Sequence, residues 1–318
     1  MFEAPWRTSP PRRVVIGARA HEQLTQYIGE RRPELQLRGA AHVEVTAQDL
    51  EWGEAYLGFK RPPVPGWGNV RWVHCTGAGV DAYLFDDKLP DNILLTRTSE
   101  PFGPQIAEYA VSRVLAFTQS LRPFEHQQRE HSWKQHFIGT LAGSHVLVVG
   151  TGEVGTAVAS RFVGMGCKVS GVSRSGTARP GFESVMPTEK LSDAVAEAQF
   201  IVLTLPLTAD TFHLMNRVVL SRCRGAVLVN VGRGQVVDEA VLPEALDSGW
   251  LKGAALDVFE TEPLPASSPL WDRADVMISP HVAGLTTIPG AADSFLESLA
   301  SIERGERPVG LVDRGRGY

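Results

Sequence analysis

Runs of mainly apolar residues alternate with amphipathic segments along most of the chain. The runs at Arg13–Gly17, Val70–Cys75 and His145–Gly150 are typical of strands that are buried on both faces of a parallel sheet. The segments that follow the first and third runs, His21–Arg31 and Val154–Met165, have apolar residues at helical spacing instead. This alternation of strands and helices predicts an α/β fold.

Two such series follow one another, and a long helix is predicted over Gln105–Leu121 between them. The second series has more strands and predicts a Rossmann-type doubly wound parallel sheet, whereas the first predicts a smaller, flavodoxin-like α/β domain. A last helix near Ala291–Arg304 can return the chain to the first domain. A length of 318 residues suits this division. We therefore expect one domain of residues 1–98 with 288–318 and a second of residues 99–287.

The composition argues against nucleic acid or a membrane as the main partner. With 43% hydrophobic residues and a net charge of -5, the chain is typical of a globular protein that has no electrostatic preference for nucleic acid or an acidic membrane. No apolar stretch approaches the roughly 20 residues that span a bilayer, and the first residues lack the apolar region of a signal peptide. The three cysteines have no metal-ligand spacing. We expect a cytoplasmic protein without a metal site that acts on a small molecule.

A glycine-rich turn opens the second series. A predicted strand runs into Gly150, Gly152 and Gly155, with the spacing G-x-G-x-x-G, and a helix begins there with Glu153 and Val154. Glycines let the backbone turn tightly and approach a pyrophosphate, while the helix start supplies unpaired N–H groups. The motif alone is weak evidence because glycine is common in turns. With the strand, the helix and the next strand around it, the motif predicts a dinucleotide-binding site.

The end of the next strand bears on the choice of nucleotide. NAD-binding folds usually carry Asp or Glu roughly 20 residues further on, bonded to the ribose 2′-hydroxyl. Here the corresponding residues are Ser173, Arg174 and Ser175. They offer no carboxylate to repel a 2′-phosphate, and the guanidinium can bind one. NADP(H) is therefore favoured, and NAD(H) remains the alternative if Arg174 is only a solvated turn residue.

Three polar residues each follow an apolar run in the second series: Arg233, Glu262 and His281. In an open α/β sheet, ligands bind at the carboxyl ends of the strands. We predict hydride transfer between the nicotinamide and the C2 atom of a 2-oxo acid, with His281 as general acid or base, Glu262 orienting its ring and Arg233 holding the substrate. Taken singly, the histidine can be a loop-end residue and the carboxylate a turn residue.

Two further sites each have two interpretations. The turn formed by Thr76, Gly77, Ala78 and Gly79 follows a predicted strand and can form a nest of backbone N–H groups for a carboxylate. An ordinary glycine turn is the alternative. Asp257 can accept a hydrogen bond from the nicotinamide carboxamide, or it can cap the turn that follows its strand.

Five motifs, in this order and spacing, resemble the D-isomer-specific 2-hydroxyacid dehydrogenase family over essentially the whole chain. They are Val-Gly-Thr-Gly-Glu-Val-Gly at 149–155, Leu-Pro-Leu-Thr-Ala-Asp-Thr at 205–211, Asn-Val-Gly-Arg-Gly at 230–234, Asp-Val-Phe-Glu-Thr-Glu-Pro-Leu-Pro at 257–265 and Ser-Pro-His-Val-Ala-Gly at 279–284. Within the family, the segments 173–175 and 312–318 are similar to the glyoxylate/hydroxypyruvate reductases.

The resemblance implies reduction of a small 2-oxo acid to the D-2-hydroxy acid with NADPH, by the three polar residues already named. It also implies nucleotide contacts at Leu205, Pro206 and Val231, a substrate carboxylate near Ala78 and Gly79, and a homodimer. The segment 122–139, with its aromatic residues, is a candidate arm over the partner subunit. The alternative is a surface helix packed on its own domain.

One departure from the reductases concerns the substrate. Where they have a tryptophan before a His-Pro-Pro segment, this chain has Lys60 before Arg61 and two prolines. If Lys60 faces the substrate, a second carboxylate or a phosphate on that substrate becomes plausible; otherwise it is a surface lysine. Two other functions stay open: a dehydrogenase for a different 2-hydroxy acid, such as phosphoglycerate, and a nucleotide-sensing binding protein of the same fold.

Overall fold

The computed structural model describes residues 10–85 and 88–317, and this part of the chain folds into two compact units. One unit consists of the described residues of Met1–Pro101 and Leu285–Tyr318, and the other is Phe102–Gly284. We call them the five-stranded unit and the seven-stranded unit, after their sheets. Each has hydrophobic clusters on the two faces of its own sheet.

The five-stranded unit is built on a wholly parallel sheet. Its strands are β1 Arg13–Gly17, β2 Gln36–Ala40, β3 Ala55–Leu57, β4 Trp72–Cys75 and β5 Leu94–Arg97. The spatial order is β2-β1-β3-β4-β5, and every pair is parallel. This is the strand order of flavodoxin-like folds, which confirms the predicted class of the smaller domain.

Helices cover both faces of this sheet. They are α1 His21–Arg31, α2 Ala47–Trp52, α3 Asp81–Leu84 and α10 Ile288–Glu303. Leu24 and Ile28 of α1 pack with Phe295 and Leu299 of α10 on one face, because apolar residues at helical spacing form one stripe. Thr287 caps α10 by accepting a hydrogen bond from the Gly290 backbone at 2.9 Å, and a proline occupies the first turn.

The seven-stranded unit contains the doubly wound sheet. Its strands are β6 His145–Val149, β7 Lys168–Ser173, β8 Ser184–Pro187, β9 Phe200–Leu203, β10 Ala226–Asn230, β11 Leu251–Leu256 and β12 Val276–Ile278. Their order is β12-β11-β10-β9-β6-β7-β8, with all pairs parallel. The order reverses between β6 and β9, and this switch point is where Rossmann folds bind their ligands. The prediction of a Rossmann-type sheet is confirmed.

Helices also cover this sheet on both faces. The helices of this unit are α4 Gly103–Thr118, α5 Leu121–Arg129, α6 Glu153–Gly164, α7 Leu191–Glu197, α8 Arg217–Leu220 and α9 Leu242–Asp247, and all of them except α5 have buried residues. Short 3₁₀ turns lie at Thr188–Lys190, Gly234–Val236 and Glu239–Val241. The helix predicted over Gln105–Leu121 corresponds to α4, which already ends at Thr118 because Ser120, with a φ of 51°, interrupts the helical backbone before α5.

Small residues allow α4 and α6 to pack closely. A Cβ atom at Gly103 would lie 2.8 Å from the Cβ atom of Ala157 in α6, so the first turn of α4 has no room for a larger residue. Ala107 and Ala110 continue this buried face. The helix α6, which begins at the glycine-rich turn, is thereby held against its own sheet. In the part of the chain that the structure describes, no helix is both long enough and apolar enough to cross a membrane.

Candidate active site

The glycine-rich turn after β6 has the backbone that a pyrophosphate site requires. Gly150 has a φ of 105°, a conformation that residues with a Cβ atom rarely adopt. A Cβ atom at Gly155 would lie 1.8 Å from the Gly150 carbonyl oxygen, so this position also needs glycine. At Gly152, by contrast, a Cβ atom would meet nothing within 4 Å. The space next to Gly152 is therefore open, so that a ligand can approach the backbone of the turn there.

The start of α6 points its unpaired backbone groups at that space. Gly152 is the N-cap residue and has no side-chain cap, while Glu153 and Val154 form the first helical positions. The first N–H groups of a helix and its dipole together attract anionic groups such as phosphate. The residues of this turn thus fit the pyrophosphate of a dinucleotide. The remaining predicted nucleotide residues lie at the ends of the neighbouring strands.

One of these neighbours is β7, whose last residue is Ser173. Arg174 and Ser175 follow it and are exposed, and the Ser175 hydroxyl lies 2.7 Å from the Thr177 hydroxyl. The turn therefore presents a guanidinium and hydroxyl groups without an acidic residue from 173 to 177. Such a set of donors suits a 2′-phosphate better than a bare ribose hydroxyl.

On the other side of β6, the turn after β9 closes against the glycines. A Cβ atom at Gly150 would lie 3.2 Å from Leu205 Cδ2, and one at Gly232 would lie 2.6 Å from the Leu205 carbonyl oxygen. Pro206 continues this turn, and Val231 follows β10, where its N–H donates to Leu203 at 3.1 Å. Leu205 and Val231 thus lie at the two strand ends beside the switch point.

Sequence reasoning missed Thr204, which stands between β9 and Leu205. Its hydroxyl donates to the carbonyl oxygens of Gly150 at 2.9 Å and Val149 at 3.3 Å. These bonds tie the glycine-rich turn to the neighbouring strand across the switch point. The residue's position directly after a buried strand was the one available signal, but a threonine there is too common to be diagnostic.

Arg233 lies in a tightly built turn after β10. The buried side chain of Asn230 donates to the Arg233 carbonyl oxygen at 3.0 Å and accepts from the Gly232 N–H at 3.1 Å. A Cβ atom at Gly234 would lie 1.9 Å from the Phe259 carbonyl carbon, which follows β11. The two flanking glycines therefore let the Arg233 turn pack directly on the next strand end, and Asn230 is a second residue that the sequence did not flag.

His281 and Glu262 form a hydrogen-bonded pair. His281 Nδ1 lies 2.8 Å from one Glu262 carboxylate oxygen, and the other oxygen accepts from the Phe259 N–H at 3.2 Å. An ionised carboxylate can only accept, so the imidazole carries its proton on Nδ1 and directs Nε2 away from the pair. Both side chains are about one-third exposed, which leaves the ring accessible to a ligand.

The charges around Glu262 keep it ionised. Burial by itself would raise the pKa of this carboxyl, but the hydrogen bond and charge of His281, the Phe259 N–H and the charge of Arg233 outweigh burial. The pKa of Glu262 is consequently lowered from its ordinary value. Three residues that are far apart in sequence thus interact in one place, within a single unit.

The backbone of His281 is in an unusual conformation that its neighbours hold. Its φ is 55°, in the left-handed region, and its N–H donates to the Asp257 carbonyl oxygen at 2.8 Å. The Asp257 carboxylate accepts from the Val282 N–H at 3.0 Å and from the Ala283 N–H at 2.8 Å. Asp257, predicted as a nucleotide contact, therefore also anchors the loop that carries His281.

A hydroxyl chain extends this anchor to α4. The Ser279 hydroxyl donates to the Asp257 carboxylate at 2.6 Å and lies 2.5 Å from the Tyr109 hydroxyl. Burial raises the pKa of Tyr109, so the phenol remains protonated and serves as a donor. The whole set joins α4, β11 and the loop after β12. Neither Tyr109 nor Ser279 was a sequence-based candidate.

The other predicted substrate residues, Lys60 and the turn 76–79, lie in the five-stranded unit, after β3 and β4. Among the described residues, no acceptor faces the backbone N–H groups of Gly77, Ala78 and Gly79. A Cβ atom at Gly77 would lie 2.6 Å from the Phe59 ring, so the turn requires glycine there. Lys60 follows Phe59 with an exposed side chain. The turn has the consecutive unpaired donors of an anion-binding nest.

The strand order, the glycine-rich turn and the histidine–carboxylate pair define a nicotinamide-dependent dehydrogenase. The chain belongs to the D-isomer specific 2-hydroxyacid dehydrogenase family, since the model of that family's NAD binding domain matches residues 111–283. The resemblance drawn from the sequence motifs is confirmed.

Relatives with names and structures support this membership. Glyoxylate/hydroxypyruvate reductase A of Salmonella paratyphi B is 37% identical over 256 residues, which cover 78% of this chain and 82% of that protein. A D-isomer specific 2-hydroxyacid dehydrogenase of Xanthobacter autotrophicus, solved with NADPH and MES, is 36% identical, with a TM-score of 0.86 over 98% of this chain and all of that one. An NADPH-dependent glyoxylate/hydroxypyruvate reductase of Sinorhizobium meliloti was solved with NADP and sulfate. It is 28% identical, with a TM-score of 0.85 over 96% of this chain and 99% of that one.

Proposed function

We propose that this protein reduces a small 2-oxo acid of the glyoxylate or hydroxypyruvate kind to the D-2-hydroxy acid, with NADPH as the preferred donor. The observation that carries the proposal is the His281–Glu262 pair, with the charge of Arg233 acting on it, on the same sheet as the glycine-rich turn. A reductase named for these two acids is 37% identical, and the Sinorhizobium relative is named as NADPH-dependent.

In the proposed reaction, the bound nicotinamide supplies the hydride to C2 and the chain supplies the proton. His281 donates the proton from Nε2 to the carbonyl oxygen, so that one N–H bond breaks as one O–H bond forms. Its Nδ1 proton stays in the hydrogen bond to Glu262, whose negative charge stabilises the imidazolium before transfer. Arg233 binds the substrate oxygens with its guanidinium and opposes the charge that develops on them.

We assign the preference for NADPH to the turn after β7. Arg174, flanked by Ser173 and Ser175, offers a forked donor set for the 2′-phosphate, and no acidic residue stands in that turn to repel it. NADH would lack the phosphate and so would lose this interaction. NAD(H) nevertheless remains a weaker substrate in this proposal, because the glycine-rich turn serves the pyrophosphate that both nucleotides share.

We further propose that residues 1–98 with 288–318 form the substrate domain and residues 99–287 the cofactor domain. The division of the chain into the five-stranded and seven-stranded units supports this assignment. The substrate carboxylate would take the unpaired N–H groups of Gly77, Ala78 and Gly79, which form an anion-binding turn without any side-chain charge.

We also propose that the protein acts as a homodimer in the cytoplasm, with the segment 122–139 as an arm over the partner. Trp133 is 93% exposed and Phe137 is fully exposed, and large apolar side chains of this kind at a surface commonly mark an interface. The three cysteines, at 75, 167 and 223, are buried and form no disulfide, which suits a reducing compartment.

A substrate panel with both nucleotides tests the proposed activity. Glyoxylate and hydroxypyruvate should be reduced faster with NADPH than with NADH, and His281→Ala should lower kcat by roughly 10²–10⁴. His145→Ala is the control, because this histidine lies at the first residue of β6, at the opposite end of the strand from the glycine-rich turn. Tight NADPH binding with no turnover of any 2-oxo acid would favour the nucleotide-sensing function instead.

A further inference from the structure

We propose that the five-stranded unit contains a second anion-binding site, formed by Lys60 with Arg19 and His42, and that the preferred substrates are 2-oxo acids with a second anionic group. The second group is a carboxylate or a phosphate, which share the charge and the acceptor oxygens that such a site recognises. The inference rests on the proposed function, because it names the substrate class of the same reaction.

The topology of the sheet brings the three basic residues to the same end of neighbouring strands. Arg19 follows β1, His42 follows β2 and Lys60 follows β3, and these three strands are neighbours in the order β2-β1-β3. All are parallel, with Gly17 opposite Ala40 at the ends of the first two. Since the carboxyl ends of parallel strands open on the same edge, the three side chains start from adjacent loops.

The loop that carries Lys60 is fixed by two buried phenols. The Tyr56 hydroxyl donates to the Lys60 carbonyl oxygen at 2.9 Å, and the Tyr83 hydroxyl lies 3.3 Å from the same oxygen. The Tyr56 hydroxyl also lies 3.4 Å from the Gly17 carbonyl oxygen at the end of β1. The main chain of Lys60 is thus held in place while its side chain is exposed, which limits the entropy lost when an anion binds.

The electrostatics of the edge support the same assignment. The pKa of His42 is lowered, first by its partial burial and then by the positive charges of Lys60 and Arg19. Lys60 and Arg19 therefore both act on His42, and an anion between them would offset the repulsion of these two cations and favour the protonated, donating form of His42. Helix α1, of 11 residues, begins just after Arg19 without a side-chain cap, which adds the positive end of its dipole to this edge.

The edge continues directly into the turn proposed for the first carboxylate. The Thr76 N–H lies 3.4 Å from the Gly58 carbonyl oxygen, so the loop after β4 follows the loop after β3. The ring of Phe59, next to Lys60, packs against Gly77 so closely that a Cβ atom there would be 2.6 Å away. A ligand with two anionic ends could therefore bind the nest with one end and Lys60 with the other. Glyoxylate has one carboxylate and would leave Lys60 unused.

Matched substrates test the site directly. Each dianionic 2-oxo acid is compared with a partner of similar length that lacks the second charge: oxaloacetate with 2-oxobutanoate, 2-oxoglutarate with 2-oxopentanoate, and phosphohydroxypyruvate with hydroxypyruvate. For at least one pair, we expect kcat/KM to favour the charged acid by about tenfold, the effect of one well-placed charge contact. If kcat/KM favours the charged acid in the first two pairs, the second anionic group is a carboxylate. If it does so in the third pair, the group is a phosphate.

Substitutions then assign the preference to the lysine. Lys60→Met should lower the charged-to-uncharged ratio by about tenfold, and Lys60→Arg should restore it. Lys88→Met is the control, since this lysine precedes β5 and belongs to the loops at the other end of the sheet; its ratio should equal that of the wild type. The ratio should also decline as the salt concentration rises. Equal ratios in the wild type and in Lys60→Met would overturn the proposal.

A binding measurement separates this inference from the proposed activity. D-malate and D-2-hydroxybutanoate are titrated by calorimetry into protein saturated with NADPH, which cannot react with either hydroxy acid. Tighter binding of D-malate that is lost in Lys60→Met would support the anion site even if no 2-oxo acid is turned over. Equal binding of the two acids by both proteins, together with His281-dependent reduction of glyoxylate, would overturn the site and leave the proposed function standing.

Discussion

Replacing Asp257 with Asn tests whether this buried carboxylate holds the loop that carries His281. The carboxylate is 1% exposed. Its oxygens accept the Ser279 hydroxyl and the N–H groups of Val282 and Ala283 at 2.6, 3.0 and 2.8 Å. Asparagine has nearly the same size, but its side chain has one carbonyl oxygen that accepts and one NH2 group that only donates. In either orientation of that amide, at least one of the two backbone N–H groups faces a donor.

The size of the effect follows from these three bonds. An N–H group that loses its acceptor away from water costs about 1–3 kcal/mol, and the bonds that remain lose the carboxylate charge, at about 1 kcal/mol each. The free energy of unfolding should therefore fall by about 2–5 kcal/mol. His281 keeps its φ of 55° against a backbone preference of about 1–2 kcal/mol, so the weakened loop should relax.

Three measurements on Asp257→Asn check this reasoning. The urea midpoint of unfolding should fall, amide hydrogen exchange of a peptide containing residues 279–283 should become at least about tenfold faster, and kcat should fall at least about tenfold as His281 leaves its position. Tyr109→Phe, which removes only the far end of the hydroxyl chain, should have a smaller effect of about 0.5–1.5 kcal/mol. Wild-type stability and exchange with only a higher KM for the nucleotide would refute the anchoring role and favour a direct contact between Asp257 and the carboxamide.

Three further results are expected. Arg174→Ala should raise the KM for NADPH much more than that for NADH, and an equal rise for both would exclude this guanidinium as the 2′-phosphate contact. Because the pKa of Glu262 is lowered, its ionised form stabilises the fold above the ordinary value of 4.5, and this contribution is lost as the pH falls through the lowered value. The unfolding free energies of Glu262→Gln and wild type should thus differ most above about pH 5 and converge as the pH falls below 4.5 through the lowered pKa. A difference that does not change with pH would contradict the ion pair. Serine at both Trp133 and Phe137 should give a monomer in light scattering where the wild type is a dimer, and an unchanged mass would remove the arm.

Strands in the middle of a sheet were predictable from sequence because they are covered on both faces. After its first residue, His145, β6 has only buried apolar positions, from Val146 to Val149. The predicted first strand and helix of the chain have the bounds that the structure gives them. The strands that the sequence did not reveal have a weaker pattern. β2 and β8 are edge strands with exposed positions, β3 has only three residues, and β5, which was also missed, is a short edge strand. Some side chains of an edge strand face water and are polar, so the strand need not have a continuous apolar run.

The candidate site divides in a similar way. Arg233, Glu262 and His281 were recognisable because each ends an apolar run, and parallel topology makes such ends converge. The residues that hold them in place were not recognisable. Tyr109 reaches Ser279 across 170 positions of sequence, and this pairing depends on how α4 packs on the sheet. A non-local hydrogen bond of that kind leaves no trace in the local sequence pattern, so only coordinates reveal it.

One hydrogen-bonded sheet positions both the glycine-rich turn and the three polar residues. The turn follows β6, and the polar residues follow β10, β11 and β12. If the glycine-rich turn binds the nucleotide and His281 donates the proton, as proposed, the register of the strands in this sheet sets the spacing between the two. Under the proposed division of labour, the loops after β1 to β4 can diverge freely to suit new acids while the chemistry stays constant. For enzyme engineering, Phe102–Gly284 would serve as an unaltered reducing module onto which loops of other specificity are transplanted.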